Sequence, residues 1–143
     1  MGTVRHILQK KGNSVFSIDP NSTVYSALEL MVERDVGSLL VMENGKFAGI
    51  FTERDYARKV MLKGKSSKEA IIRDIMSEHP ATVTPDATVE ECMSLMTKGY
   101  IRHLPVIEEN KLVGLISIGD IVKYIIEEQK FIIENLEHYI TGH

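Results

Sequence analysis

The sequence predicts an α+β fold in which two β-α-β-β-α repeats pack about a pseudo-two-fold axis. A shift of 65 residues places Asp55 on Asp120 and Gly49 on Gly114, and no gap is needed between residues 16 and 60. Both copies show the same order of apolar patterns. A repeat of roughly 45–50 residues is too small to be stable alone. Two copies that cover each other's apolar sheet faces would solve that problem within 143 residues.

The first repeat opens with the short extended stretch "VFSI" and a turn that contains Pro20. The helix "TVYSALELMVERD" follows, and its apolar residues recur at helical spacing: Val24, Leu28, Met31 and Val32. The strand "SLLVM", the turn "ENGK" and the strand "FAGIF" predict a β-hairpin, because an Asn-Gly pair suits a tight turn. A closing helix begins near Asp55.

The second repeat has the same order of elements. It contains "ATV", a turn at Pro85, a helix, the hairpin "LPVI", "EENK" and "LVGLI", and a closing helix from near Asp120. Thr88, with Glu91 three residues later, forms a capping-box pattern at the start of the first helix. The chain therefore divides into an N-terminal segment (1–12), a first repeat (13–62), a linker (63–77), a second repeat (78–126) and a C-terminal helical extension (127–143).

The C-terminal stretch "IVKYIIEEQKFIIENLEHYI" continues the last helix beyond its repeat. An apolar stripe runs along it, formed by Ile121, Ile125, Ile132, Leu136 and Ile140 and broadened by Val122, Ile126, Ile133 and Tyr139. A helix this apolar should bury against another surface. That surface is either the N-terminal segment or a second copy of the chain.

Composition and charge narrow the function classes. A formal net charge of −3 argues against nucleic-acid binding, which normally requires a basic surplus. No apolar run approaches the roughly 18–20 residues that span a bilayer, and "MGTVRHILQKKGNSV" is too polar for a secretory signal. The single cysteine, Cys92, excludes an intramolecular disulfide and favours a reducing compartment, most simply the cytoplasm. The five histidines show no metal-ligand spacing.

The quartets "TERD" and "SIGD" at the starts of the closing helices admit two interpretations. Thr52 and Ser117 are strong N-cap residues, and an acid three positions later resembles a capping box, so each quartet could simply start its helix. Alternatively, the helix N-terminus could attract phosphate, and the carboxylate could accept hydrogen bonds from a vicinal diol. Capping boxes prefer Glu or Gln at that position, whereas both quartets carry Asp.

Cationic residues lie close to these quartets in the sequence. Arg54, inside the first quartet, could pair with phosphate. Arg102 and His103 enter the strand "IRHLPVI", and the equivalent positions of the first repeat hold Gly37 and Ser38. The two candidate sites therefore differ in chemistry.

The gapless tandem, each repeat closing with G-h-x-S/T-x-x-D, resembles a pair of cystathionine β-synthase (CBS) domains, a Bateman module of the stand-alone type. "GIFTERD" and "GLISIGD" match that motif in full, "IRHLPVI" resembles the middle strand of the family, and the resemblance covers roughly residues 13–126. It implies a regulatory module that binds AMP, ADP, ATP, NAD or S-adenosylmethionine in the cleft between the repeats, without a catalytic cofactor. It also favours a homodimer through the C-terminal helix, because dimers are common in the family.

By position, the resemblance implies two nucleotide sites. Asp55 and Asp120 would hold ribose hydroxyls, helped by Thr52 and Ser117. Adenine would lie against the first strand and the start of the middle strand, and phosphates would meet cationic side chains. The other residues of these sites are Ser17, Ile18, Val36, Gly37, Ser38, Arg54, Arg58, Thr82, Val83, Ile101, Arg102, His103, Pro105 and Ile118.

The departures from symmetry favour the second site. Gly119 stands where the first repeat has Arg54, and the cationic pair of the middle strand occurs only in the second repeat. We therefore expect nucleotide binding at Asp120, with phosphates shared across the cleft by Arg54 and a signal passed to a protein partner. The alternative is a dimeric interaction scaffold with degenerate nucleotide sites. An enzyme is not expected, because the sequence shows no nucleophile–base pair.

Overall fold

The structure is a computed structural model that describes residues 2–141. Its elements are α1 (Val4–Lys11), β1 (Ser17–Ile18), α2 (Val24–Arg34), β2 (Ser38–Glu43), β3 (Lys46–Thr52), α3 (Glu53–Tyr56), a π-helical turn (Ala57–Met61), α4 (Ile72–Ile75), α5 (Val89–Gly99), β4 (His103–Glu108), β5 (Lys111–Ser117) and α6 (Ile118–Thr141). This order confirms the α+β fold with two repeats and a long C-terminal helix. Met1 and the last two residues of the predicted extension lie outside the described residues.

Each repeat contains the predicted antiparallel hairpin, β2–β3 or β4–β5. In the first repeat, β1 adds a parallel strand to β2. In the second repeat Val83 alone takes that place, with its N–H and C=O bonded to the backbone of β4. Pro80 and Pro85, which have no N–H to donate, lie on either side of Val83. The first extended stretch of the second repeat is therefore a single bridge and not a full strand.

The two repeats exchange the segments that precede them in the chain. α1 comes before the first repeat but packs on the second, where the Val4 N–H donates to the Ala87 carbonyl at 2.9 Å. α4 comes before the second repeat but packs on the first, where the Ile72 N–H donates to the Ser22 carbonyl at 2.9 Å. Ser22 and Ala87 are 65 residues apart, whereas Val4 and Ile72 are 68 apart. The exchanged segments are thus a further repeat, offset by three residues.

Matching ion pairs lie beside the exchanged segments. Arg5 on α1 lies 3.2 Å from a carboxylate oxygen of both Asp86 and Glu108. Arg73 on α4 pairs with Glu43, which is equivalent to Glu108. All of these side chains are substantially exposed, so the pairs contribute little to stability compared with the apolar contacts beneath them.

Two apolar cores form, and each includes side chains from an exchanged segment. The first contains Val24, Ala27, Met31, Leu39, Val41, Phe51 and Val60 with Ile72, Ile75 and Met76 from the linker. The second contains Val83, Ala87, Val89, Cys92, Met96, Leu104, Val106, Ile116 and Ile121 with Val4, Ile7 and Leu8 from α1. Burial raises the pKa of the Cys92 thiol to about 11, so this side chain packs as a small apolar group.

Leu40 and Ile50 form a buried pair across β2 and β3 that belongs to neither core. Successive side chains of a strand point to opposite faces, so this pair lies on the face turned away from the first core. β3 contacts β5 of the other repeat. The predicted covering of one sheet by the other repeat therefore coexists with the segment exchange.

Gly49 and Gly114 allow the exchanged segments to approach the return strands. A Cβ on Gly49 would lie 2.5 Å from the backbone oxygen of Ser77, and one on Gly114 would lie 2.8 Å from Cδ2 of Leu8. The Ser77 backbone is held by two hydrogen bonds to Ile50, of 3.0 and 2.8 Å, so it cannot easily retreat. The packing of the exchanged segments thus explains the glycine of the repeated motif.

We expect Gly49→Ala to lower the free energy of unfolding by about 1–3 kcal/mol, because the added methyl group overlaps a fixed carbonyl. Gly114→Ala should cost less, because its methyl group meets the flexible end of a leucine side chain. Urea denaturation measures both changes. Gly119→Ala is the control, since its Cβ would meet nothing closer than 3.6 Å and alanine suits a helix better than glycine. Wild-type stability of Gly49→Ala would contradict the packing argument.

Candidate functional site

Both repeated quartets cap helices in the structure. The Thr52 N–H donates to Oδ2 of Asp55 at 3.0 Å, and the Asp55 N–H donates to Oγ1 of Thr52 at 3.1 Å. The Ser117 N–H donates to Oδ2 of Asp120 at 2.8 Å, and the Asp120 N–H donates to Oγ of Ser117 at 3.2 Å. A ligand at either helix start can therefore use only the acceptor capacity that capping leaves over.

Little acceptor capacity remains on Asp55. Its Oδ1 accepts from the Ser77 hydroxyl at 2.9 Å and lies 3.0 Å from Nζ of Lys59. Its Oδ2 accepts from the N–H of Thr52 and from the hydroxyl of the same residue at 3.2 Å. The side chain is only 9% exposed. In this structure the Asp55 carboxylate acts mainly as a structural group.

Asp120 differs because one of its oxygens has no protein partner. Oδ2 accepts from the Ser117 N–H and from Nζ of Lys11 at 2.7 Å. Within residues 2–141 no hydrogen bond reaches Oδ1, and the side chain is 21% exposed. A cavity of about 270 Å³ opens beside this carboxylate, lined by Ile7, Lys10, Lys11, Asp120, Lys123, Tyr124 and Glu127. An incoming donor can therefore reach Oδ1.

Charged groups surround His103 at the start of β4. The ring lies opposite Ser117 in the hairpin, and the Arg102 carbonyl accepts the first N–H of α6 at 2.8 Å. Burial lowers the pKa of His103 below its usual value, Asp120 opposes this shift, and Arg102 and Lys11 add to it. The imidazole is therefore neutral at pH 7 and offers one donor and one acceptor.

The first repeat meets this group of residues across the cleft. A Cβ on Gly37 would lie 3.5 Å from Oε1 of Glu53 and 3.7 Å from Cε1 of His103. The guanidinium of Arg54 donates to the Tyr100 carbonyl, which belongs to the second repeat. A phosphate would have to compete with that carbonyl for Arg54.

The remaining predicted residues lie on the strands and helix starts around these groups. Ser17, Arg58, Thr82, Arg102 and Ile118 are exposed, Ile18, Val36 and Ile101 are half-buried, and Ser38, Val83 and Pro105 are buried. The structure brings Arg102, His103, Ser117 and Asp120 together. Among the described residues, no hydrogen bond or ion pair links Arg58 to either quartet.

Three partners of the two carboxylates were missed by the sequence analysis. Lys59 lies four residues after Asp55, and this helical spacing could have revealed it. Ser77 and Lys11 arrive on the exchanged segments, Lys11 from 109 residues away. No local pattern marks such long-range partners.

Two searches of the described part of the chain found nothing. Among residues 2–141, no helix combines the length and the apolar character needed to cross a bilayer. Over the same range, no three or more His, Cys, Asp or Glu side chains lie close enough together to hold a metal ion.

The sequence matches the family model of the CBS domain twice, over residues 4–62 and 72–127. The mitochondrial CBS domain-containing protein CBSX3 of Arabidopsis thaliana is 39% identical over an alignment of 149 residues that covers 98% of this chain and 72% of CBSX3. The CBS domain-containing protein YhcV of Bacillus subtilis is 32% identical over 107 residues, which cover 75% of this chain and 76% of YhcV.

Solved structures with CBS domains share the fold. A signal-transduction protein with CBS domains from Burkholderia ambifaria is 47% identical, with a TM-score of 0.86 over 89% of this chain and 96% of that protein. CBSX2, crystallised in complex with AMP, is 23% identical, with a TM-score of 0.73 over 90% of this chain and 99% of CBSX2. The likeness to CBSX2 concerns the fold alone.

We expect Ser117→Ala to lower the free energy of unfolding by about 0.5–2 kcal/mol without any ligand, because it removes the side-chain cap of α6. Urea denaturation measures the change. Ser94→Ala, at an exposed position inside α5, is the control and should leave stability within about 0.5 kcal/mol of wild type. Equal stability of Ser117→Ala and wild type would show that the cap contributes nothing.

Proposed function

The chain belongs to the CBS-domain family, and from that premise we propose that it is a regulatory module that binds an adenine nucleotide beside Asp120. The observation that carries this proposal is the free Oδ1 of Asp120 at the N-terminus of α6. A carboxylate oxygen accepts strongly from a sugar hydroxyl, and the positive end of the helix dipole favours the phosphate of the same ligand.

Neighbouring residues suit the other parts of a nucleotide. We place adenine against Thr82, Val83 and Ile101, at the start of the two strands that precede the carboxylate. The phosphate lies near Arg102, whose side chain is exposed, and near the neutral ring of His103. Arg54 can share the phosphate only by releasing the Tyr100 carbonyl.

We propose that the first repeat offers the weaker site. The saturated carboxylate of Asp55 leaves a diol without a good acceptor, because its two oxygens already serve Thr52, Ser77 and Lys59. The cationic pair of the second repeat is absent there too, since Gly37 and Ser38 stand in its place. Binding of one nucleotide per chain is therefore the expected stoichiometry.

Candidate ligands are AMP, ADP, ATP and NAD, with S-adenosylmethionine as a further possibility. CBSX2 has been crystallised with AMP, which makes AMP the first ligand to try. The proposed role is regulatory and not catalytic, with the signal passed to a protein partner whose identity is open. The alternative is an interaction scaffold with degenerate sites. The cytoplasmic location stays a prediction, and the relative CBSX3 is a mitochondrial protein.

We further propose that α6 pairs with α6 of a second copy. From residue 129 to residue 140 every side chain of α6 is exposed. Apolar residues recur along one line of the helix at alternating spacings of four and three, broken once by a glutamine: Val122, Ile126, Gln129, Ile133, Leu136 and Ile140. This spacing is typical of the seam between two coiled helices, and a single polar seam residue commonly fixes the register. A second copy presents the same stripe, so a two-fold contact would cover both.

We expect Asp120→Asn to weaken AMP binding by about tenfold to a hundredfold, because a charged acceptor for the ribose is lost. Isothermal titration calorimetry with AMP, ATP, NAD and S-adenosylmethionine measures this. Asp55→Asn is the matched control and should change the affinity little. Absence of heat with all four ligands and the wild-type protein would support the scaffold alternative instead.

We expect Leu136→Asp to convert a dimer into a monomer, because a carboxylate would be buried in the seam. Sedimentation velocity of the full chain measures the change. Asn135→Asp adds the same charge beside the stripe and should leave the dimer intact. Identical sedimentation of Leu136→Asp and wild type would contradict pairing through this stripe.

A further inference from the structure

Lys11 occupies an unusual position for a residue outside both repeats. It is the last residue of α1, and its ammonium donates to Oδ2 of Asp120 at 2.7 Å and to the Leu115 carbonyl at 2.9 Å. About a third of the Lys11 side chain is exposed. An ion pair this accessible to water contributes little to stability, so it can be broken at low cost.

Counting acceptors shows that a ribose diol and Lys11 compete for one oxygen. Each carboxylate oxygen accepts about two hydrogen bonds. Oδ2 of Asp120 already accepts from the Ser117 N–H and from Lys11, whereas Oδ1 accepts none from the described residues. A diol that places one hydroxyl on each oxygen must therefore displace the ammonium of Lys11.

The cavity beside Asp120 offers a displaced ammonium a new partner only if the ligand supplies an anion. Lys10 and Lys123 also line this cavity, and Lys10 is paired with Glu127 at 3.4 Å. A phosphate attached to the ribose would enter a region that already holds several positive charges. Lysine follows such a group readily, because its ammonium sits on a flexible four-carbon stem.

We propose that Lys11 makes the site selective for phosphorylated adenosine ligands. It neutralises Asp120 before the ligand binds, and it moves to the ligand's phosphate when the diol takes its place on Oδ2. Adenosine offers the displaced ammonium no partner, and S-adenosylmethionine brings a positive sulfonium to the same region. This inference rests on the proposed function, and it assigns AMP, ADP, ATP and NAD as the ligand class.

The first repeat shows what a fixed lysine looks like by comparison. Lys59 lies on the same helical segment as Asp55, and its ammonium also donates to the Ile75 carbonyl at 3.0 Å. The Ser77 hydroxyl holds the same carboxylate oxygen. Removal of Lys59 would still leave Asp55 hydrogen-bonded, so only the second site has a carboxylate that an exchanging lysine can uncover.

The test compares AMP with adenosine by calorimetry on the full chain. We expect wild type to bind AMP at least about tenfold more tightly than adenosine, in line with a charge-assisted contact. Lys11→Met should reduce this ratio to about threefold or less without weakening adenosine. Lys11→Arg should preserve most of the ratio. Lys10→Met, on the same helix, is the matched control and should preserve the ratio too.

Stability and binding must be read together in this test. Urea denaturation of Lys11→Met checks that the variant is folded. An unchanged AMP-to-adenosine ratio in the folded variant would overturn the role of Lys11 while leaving the proposed function intact, as would equal affinities in wild type. Binding of neither compound by wild type would overturn the proposed function and this inference with it.

Discussion

Neither repeat can bury its own sheet, and the exchange of α1 and α4 supplies the missing cover. Each core closes only when three apolar side chains arrive from a segment that precedes the other repeat. The close approach of these segments requires a glycine on each return strand, Gly49 and Gly114. The exchange therefore ties the two repeats into one cooperative unit, because unfolding either repeat would expose the segment it holds from the other.

The same exchange makes the two carboxylates unequal. The linker brings Ser77 to Asp55, where Lys59 from the same helical segment completes a closed set of donors. α1 brings Lys11 to Asp120 and supplies nothing to its second oxygen. A nearly symmetric pair of motifs thus produces one structural carboxylate and one that is open to a ligand. The difference arises from the exchanged segments and not from the motifs themselves.

Helix capping and ligand binding are compatible at Asp120. A carboxylate has about four acceptor positions, and capping uses one of them. The cap fixes the side chain in place, so a ligand that binds the remaining positions need not order a mobile group. The two interpretations of the repeated quartet are therefore consecutive uses of one side chain.

The sequence by itself determined the repeat, the two hairpins, the helix starts and the apolar stripe of α6, because each is written in local spacing of two, three or four residues. It also indicated that the second site is chemically distinct, through Arg102 and His103. Only the tertiary structure decided which repeat each preceding segment covers. It alone placed Lys11 on Asp120 and Ser77 on Asp55. A contact that spans 109 residues leaves no periodic trace, and the offset of 68 instead of 65 hides the exchanged segments from a gapless alignment of the repeats.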